Sequence, residues 1–434
     1  MFERNAKSRV HELLNEFRIV YIAGPRQSGK TTLAKAVAAE RGMAYLSLDE
    51  PSVLASARSD PGGFIDAIGS TNVVIDEFQY VPELVGVVKL ASDHLPTGQR
   101  GRFLLTGSAD LFSSAKIQES LPGHMARLEL YPLSLVERSG RSFNLIDFLL
   151  DEELFTNRSI KVRSSSKQDP SAHEPVSNAL SRQQLAQWIL QGGYPELEGK
   201  TPRSKSAWYR SYVQGRLFKD FESLYAARGV YHDRLKALIP YLAGLNAQLL
   251  KYASIANDLT QNDKVVKSYV EALEWMYIVK RIPPYIKNSA KRETIGMAKL
   301  HMIDTGLACH LLGIHTVEHL LASSSYGPML ENLVLMECFK HLAWSEQDAT
   351  VMHFRDTKKN EVDMVIETGN AELIGIEVKA SSAVSERDFV GLSILAEFAG
   401  PRFKRGLIFY AGERVLPFNQ GRHQFHAIPL SWLS

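Results

Sequence analysis

The chain has 434 residues, 45% of them hydrophobic and 23% charged, with a formal net charge of +2. That length supports about two to four domains with cores of their own, and the composition excludes the disordered, collagen-like and disulfide-scaffold classes. The small net charge excludes a global basic field, so any nucleic-acid binding must come from local patches.

The N-terminus, Met1-Phe2-Glu3-Arg4-Asn5-Ala6-Lys7, lacks the apolar segment of a secretory leader, and no apolar stretch approaches the length that spans a bilayer. The two cysteines, Cys309 and Cys338, have no metal-type spacing and fit a reducing compartment. The expectation is a cytoplasmic chain with no membrane partner.

The first element in chain order is Ile19-Val20-Tyr21-Ile22-Ala23, an apolar run suited to a buried strand. Gly24-Pro25-Arg26-Gln27-Ser28-Gly29-Lys30-Thr31 follows and reads G-x-x-x-x-G-K-T. The helix formers from Thr32 to Glu40 come next. Strand, glycine loop and helix are the order in which backbone N–H groups and a helix N-terminus cradle phosphates. On this reading Gly24 to Thr32 bind ATP, Lys30 reaches the β- and γ-phosphates, and the Thr31 hydroxyl ligates Mg²⁺.

Asn72-Val73-Val74-Ile75-Asp76-Glu77 is a second apolar run, and it delivers two carboxylates to the end of a strand. Asp76 is expected to hold Mg²⁺ and Glu77 to polarise the attacking water. A third run, Arg102 to Ser108, ends in small polar residues, of which Thr106 or Ser108 is placed to sense the γ-phosphate.

Residues 164–175 are polar, carry Pro170 and Pro175, and read as a loop between helical stretches at Leu145 to Phe155 and Leu180 to Leu190. From Ser206 to Leu224 a helical pattern interleaves aromatic and basic residues. Such a pattern suits either base stacking or, more commonly, burial of the aromatics. A short helix at Ser254 to Leu259 with a Ser cap, a polar turn at Thr260 to Asp263, a helix from Lys264 to Met276 and a strand at Tyr277 to Ile282 suggest a winged helix. Lys264, Lys267, Lys280 and Arg281 would then be its phosphate contacts, although Glu271 and Glu274 share the second helix.

Near the C-terminus, Glu331 falls in a helical stretch to His341. The runs Glu361 to Ile366 and Leu373 to Lys379 read as a β-hairpin. Strand parity puts Asp363, Glu377 and Lys379 on one face. Two acids beside a lysine, with Glu331 adding an oxygen, make a compact Mg²⁺ site.

Two resemblances follow from these residues. The glycine loop with Leu33, Val74 to Gln79, Leu104 to Ser108, Leu121-Pro122-Gly123 and Leu128 to Ser134 resemble the AAA-type P-loop ATPase domain of prokaryotic chains that carry a C-terminal domain of unknown role. The resemblance implies ring assembly, with a hexamer expected. An arginine is usual where this chain has His124, and Arg127 is its candidate substitute at a neighbour's nucleotide. Glu331, Asp363, Glu377 and Lys379 resemble the PD-(D/E)xK nuclease superfamily, and Met302-Ile303-Asp304-Thr305-Gly306-Leu307 belongs to the same C-terminal resemblance. It implies that Asp363, Glu377 and Lys379 are catalytic, with metal held by Glu331, Asp363 and Glu377.

The expected fold is multidomain α/β. It comprises a P-loop AAA+ parallel sheet (1–150), a flexible insertion (151–185), a helical connector (186–248), a winged helix (249–312) and a restriction-endonuclease-like α/β domain (325–434). The expected function is ATP hydrolysis coupled to action on nucleic acid, DNA favoured, with a metal-dependent nuclease site. The alternative is a nucleotide-controlled switch that binds a protein or DNA partner through a non-cleaving nuclease-like domain.

Overall fold

The computed structural model describes residues 2–108, 125–151, 175, 177–218, 220–221, 231–286, 296–421 and 423–434. His124, Leu121-Pro122-Gly123, residues 152–155 of the predicted helix, most of the polar 164–175 loop and Lys219 lie outside the described residues. The chain forms two compact units. The first runs to Leu133 and takes in Tyr194–Glu196 and Leu273–Ile278; the second contains the rest. The break at Leu133 precedes the expected boundary at 150, because Ser134–Leu150 packs with the second unit. There the Leu135 amide donates to Glu337 Oε2 at 2.8 Å and the Leu145 amide to His341 Nδ1 at 3.1 Å.

The first unit is built on β1 (Ile19–Ala23), β2 (Ala44–Ser47), β3 (Val73–Asp76), β4 (Phe103–Gly107) and β5 (Met125–Glu129). They form one parallel sheet in the order β2-β3-β4-β1-β5. β1, β3 and β4 are buried along their whole length, which is why they read as unbroken apolar runs. Register places Ala23 beside Gly107 and Ile75 beside Leu105. The glycine loop after β1, the acids after β3 and the end of β4 therefore meet at one edge of the sheet. Helix Lys30–Arg41 packs against β3 and β4 and fixes the loop above that edge.

The second unit holds two sheets. β6 (Gln248–Leu249), β7 (Val279–Ile282) and β8 (Lys299–Met302) are antiparallel in the order β6-β8-β7. β9 (Ala349–Arg355), β10 (Glu361–Thr368), β11 (Leu373–Lys379), β12 (Phe403–Tyr410), β13 (Leu416–Gln420) and β14 (His423–Pro429) form a mixed sheet in the order β13-β14-β12-β11-β10-β9. β10 and β11 are the antiparallel hairpin expected from sequence. Helix Val390–Ala399 lies on β10, β11 and β12. It comes so close that a Cβ on Gly375 would sit 2.7 Å from Leu392 and 2.8 Å from Leu395.

Helices form at Tyr252–Asp258 and Asp263–Trp275, with the left-handed Thr260 in the turn between them. The first starts two residues before Ser254, and its N-cap, Lys251, makes no side-chain cap, so the expected Ser cap is not used. The aromatic-basic stretch forms helix Pro202–Tyr212 followed by a wider turn, Val213–Leu217. Tyr209, Tyr212, Phe218 and Phe221 are buried there, so core packing rather than base stacking accounts for them.

Candidate functional site

The nucleotide-site candidates converge in the first unit. Gly24 packs under Leu130, whose amide donates to Ala23 O at 2.7 Å; a Cβ at Gly24 would lie 2.2 Å from Leu130 O. Gln27 and Gly29 take left-handed backbone, which bends the loop into a cup. Pro25 and Ser28 are buried, Thr32 is exposed on the first helical turn, and Arg4 braces the loop by donating to Ser28 O at 2.6 Å. Lys30 is buried, and its Nζ donates to Gly24 O at 3.0 Å and Pro25 O at 2.7 Å. Burial lowers its pKa to about 8.

Asp76 is the hub opposite the loop. Its Oδ2 accepts from Thr31 Oγ1 at 2.9 Å and from Tyr45 OH at 2.6 Å, and its Oδ1 accepts from Thr106 Oγ1. Burial and the Asp76 charge push the Tyr45 phenol upward, so Tyr45 stays a donor. Glu77 sits in left-handed backbone at φ 56°, a conformation that structures keep at functional turns. Gln79 Nε2 donates to Glu77 Oε2 and, at 3.0 Å, to Ser108 Oγ; the Ser108 amide donates back to Gln79 Oε1 at 3.1 Å. Arg26 Nη1 lies 3.8 Å from the same Glu77 oxygen.

These residues fit Mg²⁺ and a triphosphate. Gly29 at the N-cap of Lys30–Arg41 offers no capping side chain, the buried Ser28 Oγ has no partner among the described residues, and Thr31 and Asp76 bring two oxygens together. Tyr45, Gln79 and Arg4 escaped sequence reasoning: Tyr45 and Arg4 belong to no motif, and Gln79 shows its role only once Ser108 is its neighbour. Arg127 lies on β5 with its Nη2 2.7 Å from both Glu129 Oε1 and Tyr277 OH, and it is exposed.

In the second unit, Asp363 on β10 and Glu377 and Lys379 on β11 share one face as parity predicts, and Glu331 on helix Tyr326–Leu342 joins Asp363 there through Lys299. Lys379 Nζ lies 3.3 Å from Glu377 Oε2. Asp363 Oδ2 accepts the Val378 amide at 3.0 Å. The residue that sequence reasoning missed is Lys299 on β8, whose Nζ stands 2.9 Å from Glu331 Oε1 and 3.7 Å from Asp363 Oδ1. Its signal was a charge opening a strand that is buried throughout.

Burial works to lower the Lys299 ammonium, but Glu331 and Asp363 outweigh it and hold it above its ordinary value. Burial and then the Asp363 charge raise Glu377 to about 7, and the same two causes raise Glu331. Among the described residues, no three His, Cys, Asp or Glu side chains are grouped to hold a metal ion. In the expected cage of Glu331, Asp363 and Glu377, the Lys299 ammonium stands beside two of the three acids. A cavity of about 390 Å³ reaches Lys299, with Lys251, Arg355 and Glu361 in its walls.

The four expected phosphate contacts are unequal. Lys264 and Lys267 are exposed, with Lys267 Nζ 3.9 Å from Glu271. Arg281 Nη1 lies 3.7 Å from Glu271 and donates to Tyr252 OH at 3.2 Å, and Lys280 packs 4.5 Å over the Phe339 ring.

Comparison with known proteins agrees with the first unit. Residues 16–139 match a family described as AAA domain. The match supports a P-loop ATPase. Residues 182–318 and 326–433 match two families described as domains of unknown function, DUF8612 and DUF4143. The first of these spans both the expected connector and the expected winged helix. The uncharacterized proteins Rv2008c of Mycobacterium tuberculosis and Mb2031c of Mycobacterium bovis are each 25% identical over 418 residues, 96% of this chain and 81% of theirs.

Among solved structures, the Walker-type ATPase PABY2304 of Pyrococcus abyssi aligns at 15% identity and TM-score 0.42, covering 72% of this chain and 96% of that one. The RuvB Holliday junction branch migration motor of Thermotoga maritima aligns at 16% and TM-score 0.28, covering 64% and 89%. Among the described residues no helix is long and apolar enough to cross a membrane.

Proposed function

We propose that this protein is a Mg²⁺-dependent ATP hydrolase that acts on nucleic acid, DNA favoured, by binding it through its second unit without cutting it. The observation that carries the reading is the convergence of Thr31, Asp76 and Thr106 above the glycine loop, with Glu77 beside them. Lys30 neutralises charge on the β- and γ-phosphates, Thr31 and Asp76 hold Mg²⁺, and Glu77 orients water once Gln79 and Arg26 release it. The helix pair and the β7–β8 hairpin, with Lys264 and Lys267 on the exposed side of the second helix, support a winged-helix mode of docking. The hairpin behind the helix bearing Glu331 supports a nuclease-like fold for residues 326–433. The ammonium of Lys299 among its carboxylates favours binding over cleavage.

The test is incubation of labelled single- and double-stranded DNA and RNA with the full chain, with Mg²⁺ or Mn²⁺, with and without ATP. The expected result is a retarded complex with intact nucleic acid. Cleavage that disappears in Asp363→Ala would instead make the second unit a metal-dependent nuclease.

A further inference from the structure

We infer that Lys299 is the resident counter-cation of the Glu331–Asp363 pair and closes this carboxylate cluster to a divalent metal. The inference rests on the reading that the second unit does not cut, and it names the side chain responsible.

Three observations carry it. First, Lys299 is 3% exposed, and a buried ammonium persists only when paired with carboxylates. Its two partners are Glu331 and Asp363, two of the three acids a metal would need. Second, two of the four remaining oxygens hold partners and a third is crowded. Asp363 Oδ2 holds the Val378 amide, Glu377 Oε2 faces Lys379, and Glu377 Oε1 abuts the start of helix Val390–Ala399, where a Cβ on Gly391 would lie 2.5 Å from it. Third, two ammoniums already stand among the three carboxylates, with Glu361 and its partner Arg355 beside them, so the cluster is supplied with cations before any divalent ion enters. The backbone of Lys299 is fixed by pairing with Ile282 on one side and Leu249 on the other in the β6-β8-β7 sheet.

The geometry also shows how metal-type residues can survive without a metal. A PD-(D/E)xK-like set needs a cation to gather its acids, and Lys299 supplies one from the neighbouring sheet. Lys299 also borders the cavity that Lys251, Arg355 and Glu361 line, where Arg355 pairs with Glu361.

Mn²⁺ binding to the nucleotide-free full chain, read by electron paramagnetic resonance, tests this. Comparison with Asp363→Asn cancels any ion held by Thr31 and Asp76. Wild type and Asp363→Asn should bind Mn²⁺ alike. Lys299→Gln should gain about one further equivalent, lost again when Asp363→Asn is added. Wild type binding about tenfold or more tightly than Asp363→Asn would overturn the inference. So would a folded Lys299→Gln that gains no ion. Should Lys299→Gln fail to fold, the wild-type and Asp363→Asn pair decides alone. Metal-free nucleic-acid binding by wild type is scored separately, so failure of the docking reading leaves the Mn²⁺ result standing.

Discussion

Glu377 illustrates how a buried acid in this cluster trades stability against pH. Burial and the neighbouring Asp363 raise its folded pKa from 4.5 to about 7. The folded state therefore holds a proton that the unfolded state has released, and stability falls as pH rises from about 4.5 to about 7. Glu377→Gln cannot titrate, so its unfolding free energy should be flatter across that window. Above it the variant should exceed wild type by up to about 3 kcal/mol. Urea denaturation at pH 5 and pH 8 checks this, and an equal pH slope in both proteins would contradict it.

At this scale much of the nucleotide site was legible in the sequence, because G-x-x-x-x-G-K-T and the paired acids are local patterns with a local physical reason. Tyr45 and Lys299 were not, because each acts through partners brought up by sheet pairing. Nothing in the residues adjoining Lys299 announces Glu331, thirty-two positions on. The contact of Arg127 with Tyr277 was not legible for the same reason: the two are distant in sequence.

Among elements, those with both faces covered were the easiest to read. β1, β3 and β4 are continuous apolar runs, and the β10–β11 hairpin declares itself through alternation and a short turn. The strands β9, β12 and β14 were not singled out. Each finds its place through partners on other parts of the chain, and β12 joins β11 and β14 in parallel across long connections. The helix starting at Tyr252 was placed two residues late because its N-cap has no capping side chain to signal it.

The exposed face of helix Asp263–Trp275 gives the test at this scale. Lys264→Glu combined with Lys267→Glu should weaken DNA binding and reduce the slope of log affinity against log salt by about two. Titrations at several salt concentrations measure it. An unchanged slope would remove this helix from the interface. Arg281 and Lys280 are poorer choices, since Glu271 and Phe339 already engage them.

Over the whole molecule, the chain does not finish one unit before starting the next. It returns to the first unit at Tyr194–Glu196 and Leu273–Ile278. Both returns touch the nucleotide-binding unit's own machinery: Gln27 of the glycine loop lies 3.5 Å from Glu196, and Tyr277 holds Arg127 and Glu129. Helix Asp263–Trp275, which carries Lys264 and Lys267, leads straight into that second return. On the proposed reading, nucleic acid docked on this helix would be covalently close to the partners of Arg127 and Glu129, and turnover should respond to it.

The most direct measurement is steady-state ATP hydrolysis by the full chain, with and without double-stranded DNA, alongside Lys30→Ala. Mg²⁺-dependent turnover that DNA changes is expected, with a loss of about 100-fold or more in Lys30→Ala under both conditions. Turnover that persists in Lys30→Ala would contradict the assignment of the glycine loop as the hydrolytic site. Turnover indifferent to DNA, RNA and single strands would contradict the claim that this ATPase acts on nucleic acid.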